Sequence, residues 1–116
     1  MNTATLLTRC LENEGVSFCF GLPGEENLEL LNSLSQSGIK TIITRDERGA
    51  AFMANAYGRF TCKPGVCFST LGPGATNLVT GIADAQLDFA PLVAITAQAS
   101  SMRRHKESHQ YIDILS

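Results

Sequence analysis

The 116-residue sequence has few charged side chains and little excess of either sign. Asp, Glu, Lys and Arg make up 17% of it and the formal net charge is -2, so its electrostatics give no support for nucleic-acid binding. No apolar run reaches the roughly 20 residues that a membrane-spanning helix needs. The N-terminus lacks the charged and apolar regions of a signal peptide. We therefore expect no nucleic-acid or membrane partner.

The sequence also lacks a Cys-x-x-Cys pair. Of its four cysteines, Cys19 and Cys67 fall inside apolar runs that resemble strands, while Cys10 and Cys62 do not. This distribution is typical of free thiols rather than of a disulfide framework. It predicts buried, reduced cysteines and a cytoplasmic protein.

Apolar runs and helical patterns alternate along the chain, separated by short turns. The predicted strands are residues 16–20, 39–44, 66–70 and 91–96, and the predicted helices are 3–14, 25–36, 46–60 and a segment from the turn at 71–77 to about 86. Alternation of this kind predicts an α/β fold, a three-layer arrangement of a parallel sheet with helices on both faces. Thr3 or Thr5 is the predicted cap of the first helix. Residues 1–116 form one domain without repeats, and its thin sheet suggests a fragment of a longer chain.

Three turns follow predicted strands and should meet at one edge of the sheet, where open α/β sheets bind ligands. They are residues 21–24, 45–47 and 72–77. Glu47, between a strand and a helix, is either a charge that suits a helix start or a catalytic group. The turn at 72–77 is either a tight connection or a phosphate loop, although it lacks the Gly-x-Gly-x-x-Gly spacing of a dinucleotide site.

Other candidates carry weaker signals. His105 and His109 lie four residues apart, but no third ligand at a fitting spacing accompanies them, so we predict no metal site there. The basic cluster at 103–106 is followed by an acid and is expected to be a solvated loop. Phe52, Met53 and Tyr57 are expected in a core or an interface.

Several motifs in fixed order resemble one family. They are Gly-Leu-Pro-Gly-Glu-Glu-Asn at 21–27, Arg-Asp-Glu-Arg-Gly-Ala-Ala-Phe-Met-Ala at 45–54, Thr-Leu-Gly-Pro-Gly-Ala-Thr-Asn at 70–77, Gly-Ile-Ala-Asp-Ala at 81–85, Pro-Leu-Val-Ala-Ile-Thr at 91–96 and His-Gln at 109–110. Together they resemble the N-terminal pyrimidine-binding domain of thiamine-diphosphate enzymes, most closely acetolactate synthase large subunits. The fold implied is a truncated thiamine-diphosphate-binding fold.

The resemblance implies roles for the matching residues. Glu47 matches the glutamate that hydrogen-bonds N1′ of the cofactor's aminopyrimidine, and Gln110 matches a glutamine near the substrate. The implied cofactor-binding residues are Gly21, Pro23, Gly24 and Glu25 in a loop lining the active site, Thr70, and Pro73, Gly74 and Asn77 beside the ring. Asp46 departs from the pattern, because many relatives carry histidine there, and this leaves the synthase subtype open.

The implied reaction decarboxylates pyruvate and condenses it with a second 2-oxo acid, as in branched-chain amino acid or acetoin pathways. The implied cofactor is thiamine diphosphate. Mg²⁺ would bind through a missing domain with a Gly-Asp-Gly motif, which this sequence lacks, and the use of FAD or a regulatory subunit stays open. The family's active site forms between two subunits, so we expect a homodimer or tetramer and an inactive isolated fragment.

Three alternatives remain open from the sequence. The first is another thiamine-diphosphate decarboxylase or lyase that acts on 2-oxo acids. The second is a non-catalytic paralogue that only dimerises or binds a partner. The third is a nucleotide-binding α/β domain, which would bind ATP or NAD without thiamine diphosphate.

Overall fold

The computed structural model describes residues 1–103 and 110–114. Its helices are α1 (Thr3–Asn13), α2 (Leu28–Ser35), α3 (Glu47–Thr61) and α4 (Pro73–Leu87), and its strands are β1 (Phe18–Gly21), β2 (Lys40–Ile43), β3 (Gly65–Ser69) and β4 (Leu92–Thr96). Short 3₁₀ turns span Glu25–Asn27 and Ser101–Arg103. The predicted alternation of strands and helices is confirmed.

The strands form one sheet in the order β2-β1-β3-β4, and every pair is parallel. After β1 the chain moves to one side of the sheet, and after β3 it moves to the other. The crevice at the carboxyl ends of β1 and β3 is therefore the topological switch point, the usual ligand position in such sheets.

Two hydrophobic clusters cover the two faces of the sheet. On one face, α1 and α2 contribute Leu11 and Leu34; on the other, α3 and α4 contribute Ala51 and Leu78. Successive side chains of a strand point to opposite faces, so Val66 and Phe68 of β3 join the first cluster while Cys67 between them joins the second. The predicted three-layer α/β architecture is confirmed.

Burial differs between the central and the edge strands. Every residue of β3 is buried, whereas Ile43 of β2 is 55% exposed and Val93 of β4 is 41% exposed. Each edge strand has a single neighbouring strand in the described part of the chain. The edge strands β2 and β4 are therefore partly open to solvent, whereas β3 is enclosed.

Small residues bring α3 and α4 into close contact. A Cβ built on Gly81 of α4 would overlap the Cβ of Ala51 on α3. The side-chain amide of Asn55 on α3 donates to Asp84 on α4 over 2.6 Å, and Asn55 is buried. The small residues Ala51 and Gly81 thus allow α3 and α4 to approach closely.

Some local predictions need correction. Asn2, not Thr3 or Thr5, caps α1, because its side-chain oxygen accepts the backbone N–H of Thr5. α4 begins at Pro73, so most of the segment predicted as a turn is already helical; proline suits a first helical position, where no N–H bond is required.

The side chains of other predicted residues divide between core and surface. Tyr57 packs against Phe18 and Phe20, while Phe52 and Met53 are 43% and 45% exposed. All four cysteines are free; Cys19 and Cys67 are buried as predicted, but the prediction of burial is wrong for Cys10 and Cys62, which are exposed. None of the described helices has the length and apolar character needed to cross a bilayer.

Candidate functional site

A polar cavity of about 310 Å³ opens at the switch point. It is lined by Pro23, Gly24, Glu25, Glu26, Thr70 and Gln110. Five of these six residues are predicted site residues, and they come from the ends of β1 and β3 and from the distant segment at 110. The cavity includes no residue of the turns 45–47 and 72–77, but these lie at the same edge, because a Cβ on Gly74 would lie 2.6 Å from Thr70 Oγ1 and 3.2 Å from Glu47 Oε1.

Asn27 holds the loop after β1 in place. Its side-chain oxygen accepts the backbone N–H of Gly24 over 2.9 Å, and its amide donates to the carbonyl of Leu22 over 3.0 Å. Asn27 is only 4% exposed, and both ends of its amide are used, as a buried polar group requires. No role was predicted for it, although a capping side chain three residues after the loop is a recognisable helix-start signal.

Thr70 lies between the cavity and the start of α4. A Cβ on Gly24 would overlap its methyl group, and a Cβ on Gly74 would lie 2.6 Å from its hydroxyl oxygen. Both positions therefore need glycine if the β1 loop, Thr70 and α4 are to keep this close arrangement. Thr70 thus connects two groups of predicted site residues that are far apart in the sequence.

Glu47 is the first residue of α3. The helix starts there because the side chain of Asp46 accepts the backbone N–H of Gly49 over 2.9 Å, and Asp46 itself has extended backbone angles. That N–H bond, followed by the neighbouring Arg48, lowers the pKa of Asp46 below its usual value. Asp46 is therefore the N-cap of α3, directly before Glu47.

The carboxylate of Glu47 meets the side chain of Asn77. Asn77 Nδ2 donates to Glu47 Oε2 over 3.2 Å, across the α3–α4 contact. Within the part of the chain that the structure describes, Oε1 has no hydrogen-bond partner. A Cβ on Gly74 would lie 3.2 Å from Oε1, so this oxygen faces the glycine at the second position of α4.

The positive ends of two helices meet near this carboxylate. Glu47 is the first residue of α3, and Gly74, beside its Oε1, is the second residue of α4. Helix N-termini stabilise nearby negative charge. The site therefore holds a partly exposed carboxylate, one oxygen of which has no hydrogen-bond partner among the described residues.

Gln110 approaches the site through its backbone. Its φ angle is 57°, and Gly72 before α4 has a φ of 61°. A Cβ on Gly72 would overlap the carbonyl oxygen of Gln110, so Gly72 is needed both for its left-handed backbone and for this contact. The structure thus brings residue 110 to the cavity that Gly24 and Thr70 line.

Two predicted residues lie at the margins of this arrangement. Gly21 is the last residue of β1, where a Cβ would overlap the carbonyl of Phe68; it packs within the sheet and does not line the cavity. Pro73 is exposed at the start of α4.

His105 and His109 lie outside the described residues, and those described include no group of three or more His, Cys, Asp or Glu side chains suited to a metal ion.

A second cavity, of about 320 Å³, lies on the α1 side of the sheet. Its mostly apolar lining comes from Thr3, Ala4, Leu7, Glu26, Asn27, Glu29, Leu30, Ser69, Ile95, Thr96 and Ala97. It contains none of the predicted site residues. We interpret it as a packing gap between α1, α2 and the edge strand β4, because most of its surface is apolar and no predicted site residue lines it.

The chain matches one described family over its whole length. The model of that family, described as "Thiamine pyrophosphate enzyme, N-terminal TPP binding domain", matches residues 1–116. The acetolactate synthase isozyme 2 large subunit of Escherichia coli (strain K12) is 44% identical over 115 residues, which are 99% of this chain and 21% of that protein.

Two further relatives differ in the reaction that their names describe. A probable acetolactate synthase large subunit of Methanocaldococcus jannaschii is 43% identical over 115 residues, 99% of this chain and 20% of that protein. A probable 2-ketoarginine decarboxylase of Pseudomonas aeruginosa is 50% identical over 91 residues, 78% of this chain and 16% of that protein. The chain spans about a fifth of the length of these curated relatives.

Proposed function

Since the chain belongs to the thiamine pyrophosphate enzyme family as its N-terminal TPP-binding domain, we propose that it binds the aminopyrimidine ring of thiamine diphosphate. In this proposal Glu47 is the catalytic carboxyl group that faces the ring. The proposed reaction of the whole enzyme is the decarboxylation of pyruvate and its condensation with a second 2-oxo acid.

The surroundings of Glu47 fit such a ring. Oε1 has no partner in the described segments, and the lack of a side chain at Gly74 lets the start of α4 approach this oxygen closely. A methyl group at residue 74 would crowd both this oxygen and the hydroxyl of Thr70. A carboxyl oxygen that has no partner among the described residues and lies beside a glycine at a helix start is the single observation that carries the proposal.

When bound, thiamine diphosphate supplies the carbanion and the electron sink, which side chains alone do not provide. Glu47 would hold a proton at a carboxyl oxygen and share it with the ring nitrogen, which is general acid–base work. Gln110, which lines the neighbouring cavity with Gly24, Glu25 and Thr70, would orient the 2-oxo acid, and these three residues would help to bind the cofactor and to exclude water. Gly21, Pro23, Pro73, Gly74 and Asn77 would complete the cofactor-binding turns.

In this proposal, another domain and a partner subunit supply the remaining parts of the site. We infer that the diphosphate and Mg²⁺ are held by another domain, since this sequence has no Gly-Asp-Gly motif. The exposed apolar side chains of α3, Phe52 and Met53, support a partner subunit that packs close to Glu47, in a homodimer or tetramer. We also propose that the protein is cytoplasmic, which its free thiols support.

A decarboxylase is the second candidate function. Its support is the 50% identity to a probable 2-ketoarginine decarboxylase, which is as high as the identity to the synthases. The full-length enzyme should be incubated with pyruvate and a second 2-oxo acid, and its products identified. A condensed acid supports the synthase, and release of an aldehyde alone supports the decarboxylase.

The role of Glu47 is tested by Glu47→Gln in the full-length enzyme with thiamine diphosphate and Mg²⁺. We expect exchange of the cofactor's C2 proton, followed by NMR in deuterated buffer, to fall by about 100-fold or more. Folding should be preserved because Glu47 is only half-buried, with one side-chain hydrogen bond to the part of the chain that the structure describes. Glu29→Gln, an exposed acid on α2, is the matched control; full exchange in Glu47→Gln would refute the role.

A further inference from the structure

We propose that Asn77 is a positioning residue, which holds Oε2 of Glu47 and thereby makes Oε1 the oxygen that carries the exchangeable proton. This inference rests on the proposed function, because it concerns the same carboxyl group. It changes the role expected for Asn77, from a residue that packs beside the ring to one that acts through Glu47.

The hydrogen bond makes the two carboxyl oxygens unequal. Asn77 Nδ2 donates to Oε2 over 3.2 Å, and an amide N–H can only donate. When the carboxyl group is protonated, its carbonyl oxygen is the better acceptor of that bond, so the proton is directed to the other oxygen. Oε1 is that oxygen, and it lies close to Gly74, the second residue of α4.

Asn77 donates this hydrogen bond from α4, a helix that is packed firmly against α3. α4 lies against α3 through the close contact of Gly81 with Ala51 and through the buried bond of Asn55 to Asp84. These contacts define the separation of the two helices. They therefore also define the distance between the side chains of Asn77 and Glu47. Asn77 follows Gly74 by three residues, so both lie on the same side of α4, one beside each oxygen of the carboxyl group.

The reverse orientation of the Asn77 amide fits less well. It would direct the amide oxygen at Oε2, and two acceptors would face each other whenever Glu47 is ionised. The donor orientation is the one that the charge of the carboxylate favours. The proposal therefore depends on a donor at residue 77 and not merely on a side chain of that size.

The first test compares Asn77→Asp and Asn77→Ala in the full-length enzyme with thiamine diphosphate and Mg²⁺. Aspartate keeps the shape of the side chain and removes the donor, and alanine removes both. We expect C2 proton exchange to fall about five- to tenfold in Asn77→Ala, the loss of one hydrogen bond to a charged group near the surface. It should fall further in Asn77→Asp, because two carboxylates then face each other.

Affinity for the cofactor separates positioning from direct contact. We expect the Kd for thiamine diphosphate to stay within about twofold in Asn77→Ala, since one positioning bond to Glu47 would be lost and no contact with the cofactor. A large rise in Kd with unchanged exchange in the bound state would overturn the inference in favour of ring contact. Thr80→Ala, an exposed residue one turn further along α4, is the matched control and should leave both quantities unchanged.

A second measurement needs no cofactor. The side-chain amide of Asn77 should give a shifted NMR signal in the protein without thiamine diphosphate, and Glu47→Ala should return it to the position of a solvated amide. An amide signal that ignores Glu47→Ala would overturn the inference. If Glu47→Gln keeps full exchange, the proposed function fails; if only the Asn77 variants keep it, the positioning role alone fails.

Discussion

Replacing Gly81 with alanine should separate α3 from α4. A Cβ at residue 81 would overlap the Cβ of Ala51 and would lie 3.0 Å from two backbone atoms, Ala51 C and Phe52 N. Ordinary contacts of a Cβ are longer than this, and neither backbone atom can move without the whole helix. The close packing of the interior leaves no space to absorb the methyl group, so we expect the helices to move apart by several tenths of an ångström.

The cost to stability combines two opposing terms. Overpacking a buried contact costs about 1–3 kcal/mol, while alanine is favoured over glycine inside a helix by about 1 kcal/mol. The net loss expected for Gly81→Ala is therefore about 0–2 kcal/mol in the free energy of unfolding. Urea denaturation of the wild type and variant, followed by circular dichroism, measures this difference.

A matched control is available in α3. Gly49 is also helical, but a Cβ there would meet its nearest atom, Asp46 Oδ1, at 3.9 Å, which is ordinary contact. Gly49→Ala should therefore stabilise the protein by about 0.5–1 kcal/mol through the helix term alone. Opposite signs for the two glycines are the expected result. Stabilisation by Gly81→Ala would refute the close α3–α4 contact.

The same variant should affect the site. Asn77 Nδ2 and Glu47 Oε2 are already 3.2 Å apart. A small separation of α3 and α4 therefore lengthens this distance towards the upper limit for a hydrogen bond. We expect the NMR signal of the Asn77 side-chain amide to move in Gly81→Ala towards the position expected for it in Glu47→Ala. An unchanged signal in a destabilised variant would mean that the α3–α4 separation does not control the site.

Two further predictions concern pH and thiol chemistry. The hydrogen bond from the N–H of Gly49, and then Arg48, lower the pKa of Asp46 from its ordinary 3.8. The ionised cap therefore stabilises the fold fully above pH 3.8. This stabilisation is lost as the pH falls through the lowered pKa. Asp46→Ala should therefore lower the Tm more at pH 7 than at pH 2, and an equal loss at both would contradict an ionised cap. Burial raises the pKa of Cys19 to about 11 and that of Cys67 to about 12, so at pH 8 a thiol reagent should modify the exposed pair first. Mass spectrometry should find rapid labelling at Cys10 and Cys62 only, and rapid labelling of all four would contradict the described core.

The element types were predictable because each depends on residues close together in the chain. The β-branched run at 39–43 and the small residues after Glu47 differ in periodicity, and each period suits one kind of element. The boundaries were less predictable. Asn2 competes with Thr3 and Thr5 as a cap, and only the position of the Thr5 N–H decides between them.

Burial was predictable only in part, because it depends on the order of the strands. The apolar runs of β2, β3 and β4 look alike in sequence, yet β3 is central and fully buried while the other two are edges. Phe52 and Met53 illustrate the same limit. Their place on the exposed face of α3 follows from where α4 packs, which helical periodicity alone does not specify.

The amino-acid sequence by itself determined the α/β alternation, the position of Glu47 between a strand and a helix, and the motifs that resemble the thiamine-diphosphate family. Only the tertiary structure decided which groups meet that carboxylate. Asn77 lies 30 residues away in the sequence, and its hydrogen bond exists because small side chains let α3 and α4 approach. Likewise, the two hydrogen bonds by which Asn27 holds the loop at Gly24 depend on the burial of Asn27, because a buried side-chain amide has no water to bind.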